Sequence, residues 1–391
     1  MTGGKVAALG AAFIALLAPV AAQASPVLKV GTDGKARKAE DRLLPPRSAS
    51  KLPRVPAGTR VVRNAARARA SSLTSTERST FNQALTEARR TRDGLPAGAR
   101  RTELSAVIAS FEAMDRRAEV TSSRLNAVLM TIRRNREFWA VNNPPAAGTR
   151  IVFSGSPVLL EYYAGRGLQI QPLGNFGKAN AAWSSCRSKG DRTCTPLRSL
   201  LDAMIALGST RGTFTTWEYL FEFEGGVPPW TSGMSQGTGI QALSRAYSLT
   251  GDVKYRNVAT AALGAFETAP PVGVARTATN GTHYLMYSYA PDLFIFNGFL
   301  QALVGLDDYR DHTGDARGTT LFRNGHYHAR WLVPKSDTGS WSYYSLNGPQ
   351  STRSYHELLT DILRNLCSRI GTPEYCTTAD KFTQYLAARP A

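Results

Sequence analysis

"DLFIFNGFLQALVGLDDYRDHTGD", residues 292–315, is apolar on almost every side of a helical wheel through Leu293, Phe294, Ile295, Phe296, Phe299, Leu300, Leu303, Val304 and Leu306. A helix of that kind is buried on several sides rather than laid on a surface. The same 3.6-residue period recurs at 196–207, 234–252, 254–268 and 355–371. "TGD" follows a helical pattern twice, and Gly371 is followed closely by Pro373, so the ends are conventional helix stops. Successive helical pairs predict a mainly α chain folded as an α/α toroid, incomplete or barrel-like. Short β-hairpins belong in its loops, with "RIVF" at 150–153 as a strand-like example.

Upstream of this domain, taken as 150–391, the chain divides into three further parts. Residues 1–24 combine Lys5, an apolar run from Val6 to Val20 and a small-residue "AQA" site, which reads as a signal peptide cut after Ala24. That apolar run is too short for a comfortable membrane span, and no later run is longer, so no integral membrane segment is expected. Residues 25–72 are rich in Pro, Arg, Ala and Ser without a sustained apolar period and read as a basic linker. Residues 73–145 return to helical spacing and predict a helical hairpin or small bundle, with "GLPAGAR" at 94–100 as its turn.

Where the charge sits limits what it means. Of a net +18, residues 25–72 carry +9, residues 73–150 carry +5, and residues 151–391 only +3. A charge concentrated in the tail is not a nucleic-acid footprint on the main domain. It is either a solvated tail or a means of holding the protein on an anionic cell surface. Cys186 and Cys194 lie eight apart, and Cys367 and Cys376 nine apart. Two local disulfides fit an exported chain better than zinc, which wants C-x2-C-type spacing. The protein is therefore expected in the cell envelope or secreted.

Standard catalytic motifs are missing: there is no Walker A loop, G-x-S-x-G elbow, H-E-x-x-H or G-x-G-x-x-G. No motif calls for a cofactor. "HYH" at 326–328 is a poor metal pair, because i and i+2 do not share a helix face. In "WEYLFEFEGG", residues 217–226, two-residue alternation predicts Glu218, Glu222 and Glu224 on one strand face and aromatics on the other. That pattern serves a glycosidase carboxylate pair or, more simply, an acidic wet face over an aromatic core. The last feature is "GSWSYYSLNGPQSTRSYHELL", residues 339–359, where Tyr343, Tyr344 and Tyr355 crowd a strand-to-helix seam. Tyrosines so placed either pack or carry protons.

"PPWTSGMSQGTGIQALSRAYSLTGD", residues 228–252, resembles the C-terminal domain of the D-glucuronyl C5-epimerases at Trp230, Ser232, Met234, Gln236 and Gly237. The likeness continues at Phe294, Asn297, Gly298, Phe299, Gly305, Leu306 and Asp308. It ends with "DTGSWSYYSL" and the "SYH" that opens the last long helix, and "GRGLQIQPLGNFGKAN" at 165–180 is similar to an earlier loop of the family. It covers about 155–370 and implies removal and return of the C5 proton of a uronate within an acidic polysaccharide. That chemistry needs two proton carriers on opposite ring faces and a positive environment for the carboxylate. The resemblance implies Tyr344, Tyr355 and Tyr289 as catalytic residues. It implies Trp230, Gln236, Tyr287, Asn297, His356 and Arg353 as substrate contacts, with Arg353 neutralising the substrate and a nearby arginine lowering a phenol pKa, and Glu218 joins them from the alternation of "WEYLFEFEGG".

Animal members of the family carry a glutamate where this chain has Ser288, so the base must come from Tyr287, Tyr289, Asp292 or a carboxylate of "WEYLFEFE". The family's large β-rich N-terminal region is replaced by the helices of 73–139. The expected function is an exported uronate C5-epimerase. The competing readings are a polysaccharide lyase working through the same C5 carbanion, a hydrolase built on the glutamates, and a non-catalytic polysaccharide-binding protein.

Overall fold

The computed structural model describes residues 25–44, 55–56, 58–62 and 72–389. The leader-like residues 1–24 and most of the basic segment 45–71 lie outside the described residues. Within them, no helix is long and apolar enough to cross a membrane.

Four helical hairpins follow one another: α4 (Pro172–Ser188) with α5 (Thr195–Ala206), α6 (Gly233–Thr250) with α7 (Val253–Ala262), α8 (Phe296–Thr313) with α9 (Ala316–Leu332), and α10 (Arg353–Ile370) with α11 (Pro373–Ala388). The first member of each hairpin packs on the first member of the next, α4 on α6, α6 on α8, α8 on α10, while the second members stand outside. This is an incomplete α/α toroid, with α6 and α8 enclosed as their apolar sequences require. Gly237 and Gly305 let those two helices touch backbone to backbone. A Cβ on Gly305 would lie 2.1 Å from the Gly237 carbonyl oxygen. Two residues of the sequence pattern thus have a packing reason.

The repeated "TGD" closes one helix and opens the next. Gly251 (φ 74°) and Gly314 (φ 65°) take the left-handed conformation that ends α6 and α8. Asp252 and Asp315 then accept amide hydrogen bonds as N-caps of α7 and α9. The helix predicted from residue 292 begins only at Phe296. Residues 293–295 are extended because their backbone pairs elsewhere: the Leu346 amide donates to Phe294, and the Phe296 amide to Tyr344.

The N-terminal part differs from its reading as a linker and a separate helical unit. Residues 25–41 form β1 (Ser25–Val30) and β2 (Ala36–Asp41), the first of them interior and the second at the edge of a five-stranded sheet ordered β2-β1-β3-β4-β5 with β3 (Arg150–Phe153), β4 (Leu159–Tyr163) and β5 (Gly167–Ile170). β1 runs parallel to β3, pairing Leu28 with Ile151 across a long stretch of chain. Between them lie three helices, α1 (Ser75–Gly94), α2 (Ala99–Arg116) and α3 (Leu125–Val141). Buried Asn135 of α3 exchanges hydrogen bonds with Leu168 of β5, at 2.7 and 2.8 Å. One apolar core therefore runs from Phe81 to Phe382 without a break at 142–148. Short hairpins β6 (Ser209–Arg211)–β7 (Phe214–Thr216) and β8 (Ala275–Ala278)–β9 (Gly281–Tyr284) occupy the loops. Cys186–Cys194 and Cys367–Cys376 are disulfide-bonded.

Candidate active site

The loops that precede α6, α8 and α10, residues 217–232, 285–295 and 337–352, all lie at the N-terminal ends of inner helices. Their aromatic side chains meet in a second apolar cluster: Tyr219, Phe221, Trp230, Tyr287, Tyr289, Tyr344 and Tyr355, with Met234 and Met286. Trp230 is its hub. Tyr219 stacks on it at 4.1 Å, and Tyr287 and Tyr289 meet its edge at 5.7 and 5.3 Å. Tyr287 and Tyr289 are 5.4 Å apart, as ring centroids, and Tyr344 and Tyr355 5.2 Å. Tyr287 and Tyr344 share a side-chain hydrogen bond. The Tyr289 hydroxyl is buried and has no hydrogen-bond partner among the described residues.

Helix N-termini carry partial positive charge, and three of them end here. Tyr287, Tyr289 and Tyr344 are neutral. Burial raises Tyr287, Tyr289 and Tyr344 well above the usual phenol value, and neighbouring tyrosines add to the effect. The negative charge of Glu224 acts in the same direction on Tyr287 and Tyr289, which makes Glu224 the carboxylate felt at both rings. Part of the presumed linker lies here too. Val55 and Val61 pack against the cluster, the Val62 amide donates to the Tyr289 carbonyl at 2.8 Å, and Arg60 pairs with Asp292 at 2.9 Å. Arg276 meets the other Asp292 oxygen at 3.6 Å.

Five of the residues expected at the site from sequence, Tyr287, Tyr289, Tyr344, Tyr355 and Trp230, are gathered in this cluster. The others are occupied elsewhere. Arg353 is half-buried and pairs with Glu357 one turn along α10 at 2.9 Å, and its guanidinium also donates to the Arg389 carbonyl. Gln236 donates to the carbonyls of Thr215 and Ala262, holding the start of α6. His356 stacks on Trp341 at 3.8 Å, and its ring nitrogens meet Ser342 and the Phe382 carbonyl. Asn297 is buried in the first turn of α8, and its side-chain oxygen has no partner among the described residues. Ser288 exchanges hydrogen bonds with the Thr231 backbone.

Glu218 is the largest correction. It is not on a wet face but fully enclosed, held by Arg124 (2.5 and 3.0 Å) and Arg211 (2.9 Å). Burial opposes its ionisation, yet the two guanidinium groups keep it below the ordinary carboxylate value. Glu222 and Glu224 are exposed, and Glu224 sits at positive φ in a turn that breaks the expected alternation.

The "HYH" pair also separates. His326 meets the Tyr375 hydroxyl at 2.9 Å, whereas His328 is buried beside His283 at a ring distance of 5.4 Å. Among the described residues, none of the four ring nitrogens of His283 and His328 has a partner. Burial pushes His328 down to about 4 and His283 further below the ordinary 6.5. Both are neutral in the fold, while the unfolded chain takes up protons below about pH 6.5, so stability is lost as pH falls. Denaturant titrations should lose on the order of 2–3 kcal/mol for His328 between about pH 6.5 and pH 4. A His328→Phe variant should flatten that slope.

Residues 211–384 match the family described as D-glucuronyl C5-epimerase C-terminus. An uncharacterized protein of Methanocaldococcus jannaschii is 31% identical over 153 residues, 37% of this chain and 50% of that protein. A D-glucuronyl C5-epimerase of Caenorhabditis elegans is 30% identical over 184 residues, 42% of this chain and 30% of that protein. The chain thus spans half of the first relative's length and less than a third of the second's. Among solved structures, a cellobiose 2-epimerase from Bacillus thermoamylovorans gives a TM-score of 0.45 at 11% identity, covering 72% of this chain and 74% of that one. A D-mannose isomerase gives 0.41 at 9%, covering 81% and 88%.

Proposed function

We propose that this chain, whose residues 211–384 belong to the D-glucuronyl C5-epimerase C-terminal family, is an exported isomerase that inverts C5 of uronate residues in an acidic polysaccharide. The observation that carries the reading is the convergence of Tyr287, Tyr289 and Tyr344, from the loops before α8 and α10, with Tyr355 of the first turn of α10. Export is supported by the two disulfides and by the leader-like residues 1–24. The basic tail then serves to hold the protein on anionic polymer or cell surface.

In this reading the uronate carboxylate faces the helix N-termini, which stabilise the charge that develops as C5 loses its proton. Neutral phenols suit proton donation and hydrogen bonding to that charge; they do not suit the role of first base. Glu224, relaying through Tyr289, takes the C5 proton on one face. Tyr344 and Tyr355 return one on the other. The C4–O bond stays intact, and the cycle closes when Glu224 gives its proton to solvent and the tyrosine that protonated C5 takes one back from it. The Val55 and Val61 segment, now packed on the tyrosines, moves aside for the polymer.

The test is product analysis after incubation with glucuronate polymers. Inverted C5 resonances without ultraviolet absorbance of an unsaturated uronate support epimerisation; that absorbance identifies a lyase and sinks the proposal. Glu224→Gln should slow inversion by about 10²–10⁴-fold, and full activity in that variant removes Glu224 from the mechanism.

A further inference from the structure

Among the described residues, the aromatic side chains left exposed are Tyr327 and Trp331, 53% and 42% accessible, and they lie one turn apart on the outer face of α9. Such a spacing stacks both rings on one face. The same row carries Arg323 one turn before and Lys335 one turn after, both exposed. The Lys335 ammonium rests over the Trp331 ring at 4.6 Å. Arg323 has no ion-pair or hydrogen-bond partner among the described residues. The neighbouring cations Arg330 and Arg317 are already neutralised, by Glu374 at 2.9 Å and Glu267 at 2.8 Å. The stripe thus presents two aromatic faces between two uncompensated positive charges, with no acid of its own.

Trp331 also meets the buried His328 ring at 5.6 Å, but much of both rings stays in solvent, and two such rings side by side mark a surface suited to contact. Aromatic faces stack on the apolar faces of sugar rings, and flanking cations meet carboxylates. From these observations we infer that the outer face of α9 is a second binding site, for an acidic polysaccharide chain, separate from the tyrosine cluster. The ligand class rests on the function proposed above; the stripe itself does not. Its direction fits that ligand. α9 returns antiparallel to α8, so Trp331 and Lys335 lie toward the end of the toroid where the site loops gather, and Lys335 is followed directly by the loop that carries Tyr344. A polymer bound along the stripe would be held beside the site through successive turnovers.

The experiment is retardation of the purified protein in gels containing heparosan or alginate, with dextran as the neutral polymer, beside C5 exchange on a short uronate oligosaccharide. Wild type should be retarded by an acidic polymer and not by dextran. Tyr327→Ala with Trp331→Ala should weaken that binding about tenfold or more. Arg323→Ser with Lys335→Ser should weaken it and flatten its salt dependence. Both variants should keep wild-type exchange on the short oligosaccharide. Equal retardation of wild type and variants overturns the inference, as does a wild type that no acidic polymer retards. A concentration-dependent dimer by light scattering that the aromatic variant abolishes also overturns it, since a second copy then covers the face. Stripe-dependent retardation without any C5 exchange leaves this site standing and removes the epimerase reading instead.

Discussion

Tyr289→Phe should give a protein at least as stable as wild type and nearly devoid of C5 exchange. The Tyr289 ring is fixed by Trp230 and Tyr287, and Gly226 lies against its face so closely that a Cβ there would fall 2.3 Å from a ring carbon. None of that packing uses the hydroxyl, which is buried without a partner among the described residues. An unsatisfied buried polar group costs about 1–3 kcal/mol, so its removal should leave the melting temperature unchanged or raise it. If the same hydroxyl relays a proton, exchange should fall by about 10²–10⁴-fold. Loss of activity with gain of stability is the signature of a group kept for function. A variant that loses stability and keeps its activity would show instead that the hydroxyl belongs to the core.

Glu218→Ala should be the most damaging single change to the fold. It leaves Arg124 and Arg211, both almost fully buried, facing each other without their shared carboxylate. Removing one partner of a buried ion network costs about 3–5 kcal/mol, a large part of the stability of most domains. The network also ties distant segments together. Arg124 reaches the Glu119 backbone, and Arg211 reaches the carbonyls of Pro229 and Pro271, the first of them next to Trp230. Chemical denaturation should register the loss directly, and Glu218→Gln should be damaging for the same reason. At low temperature the folded fraction of Glu218→Gln should still exchange C5. Were Glu218 the acid of a hydrolase, that variant would fold well and do no chemistry.

The helices read at 196–207, 234–252, 254–268, 292–315 and 355–371 were legible because their signal is local, an apolar period with "TGD" punctuation and a capping aspartate, whereas α4 starts inside a stretch read as a loop and α11 was not read. The Tyr and Trp residues of the site were legible through a resemblance, since nothing in their spacing says that residues 230, 289 and 344 meet. What failed was long-range. Glu218 alternates like a surface residue, and its partner Arg124 lies 94 positions away. β1 reads as polar tail because its strand partner β3 comes only after three intervening helices. The contact of Val55 and Val61 with the tyrosines is likewise invisible from a proline- and arginine-rich composition. Arg353 was a different kind of failure. Glu357 stands four residues on, and an i,i+4 ion pair was the simplest reading of "RSYHE".

The central claim is that this site removes and returns the C5 proton of a uronate. Its most direct measurement is incubation of residues 25–391 with heparosan in deuterated water, reading deuterium at C5 by NMR beside the Tyr289→Phe variant. Deuterium at C5 with part of the residues inverted, and neither in the variant, is the predicted result. An unlabelled polymer would contradict the account, and so would equal labelling by both proteins.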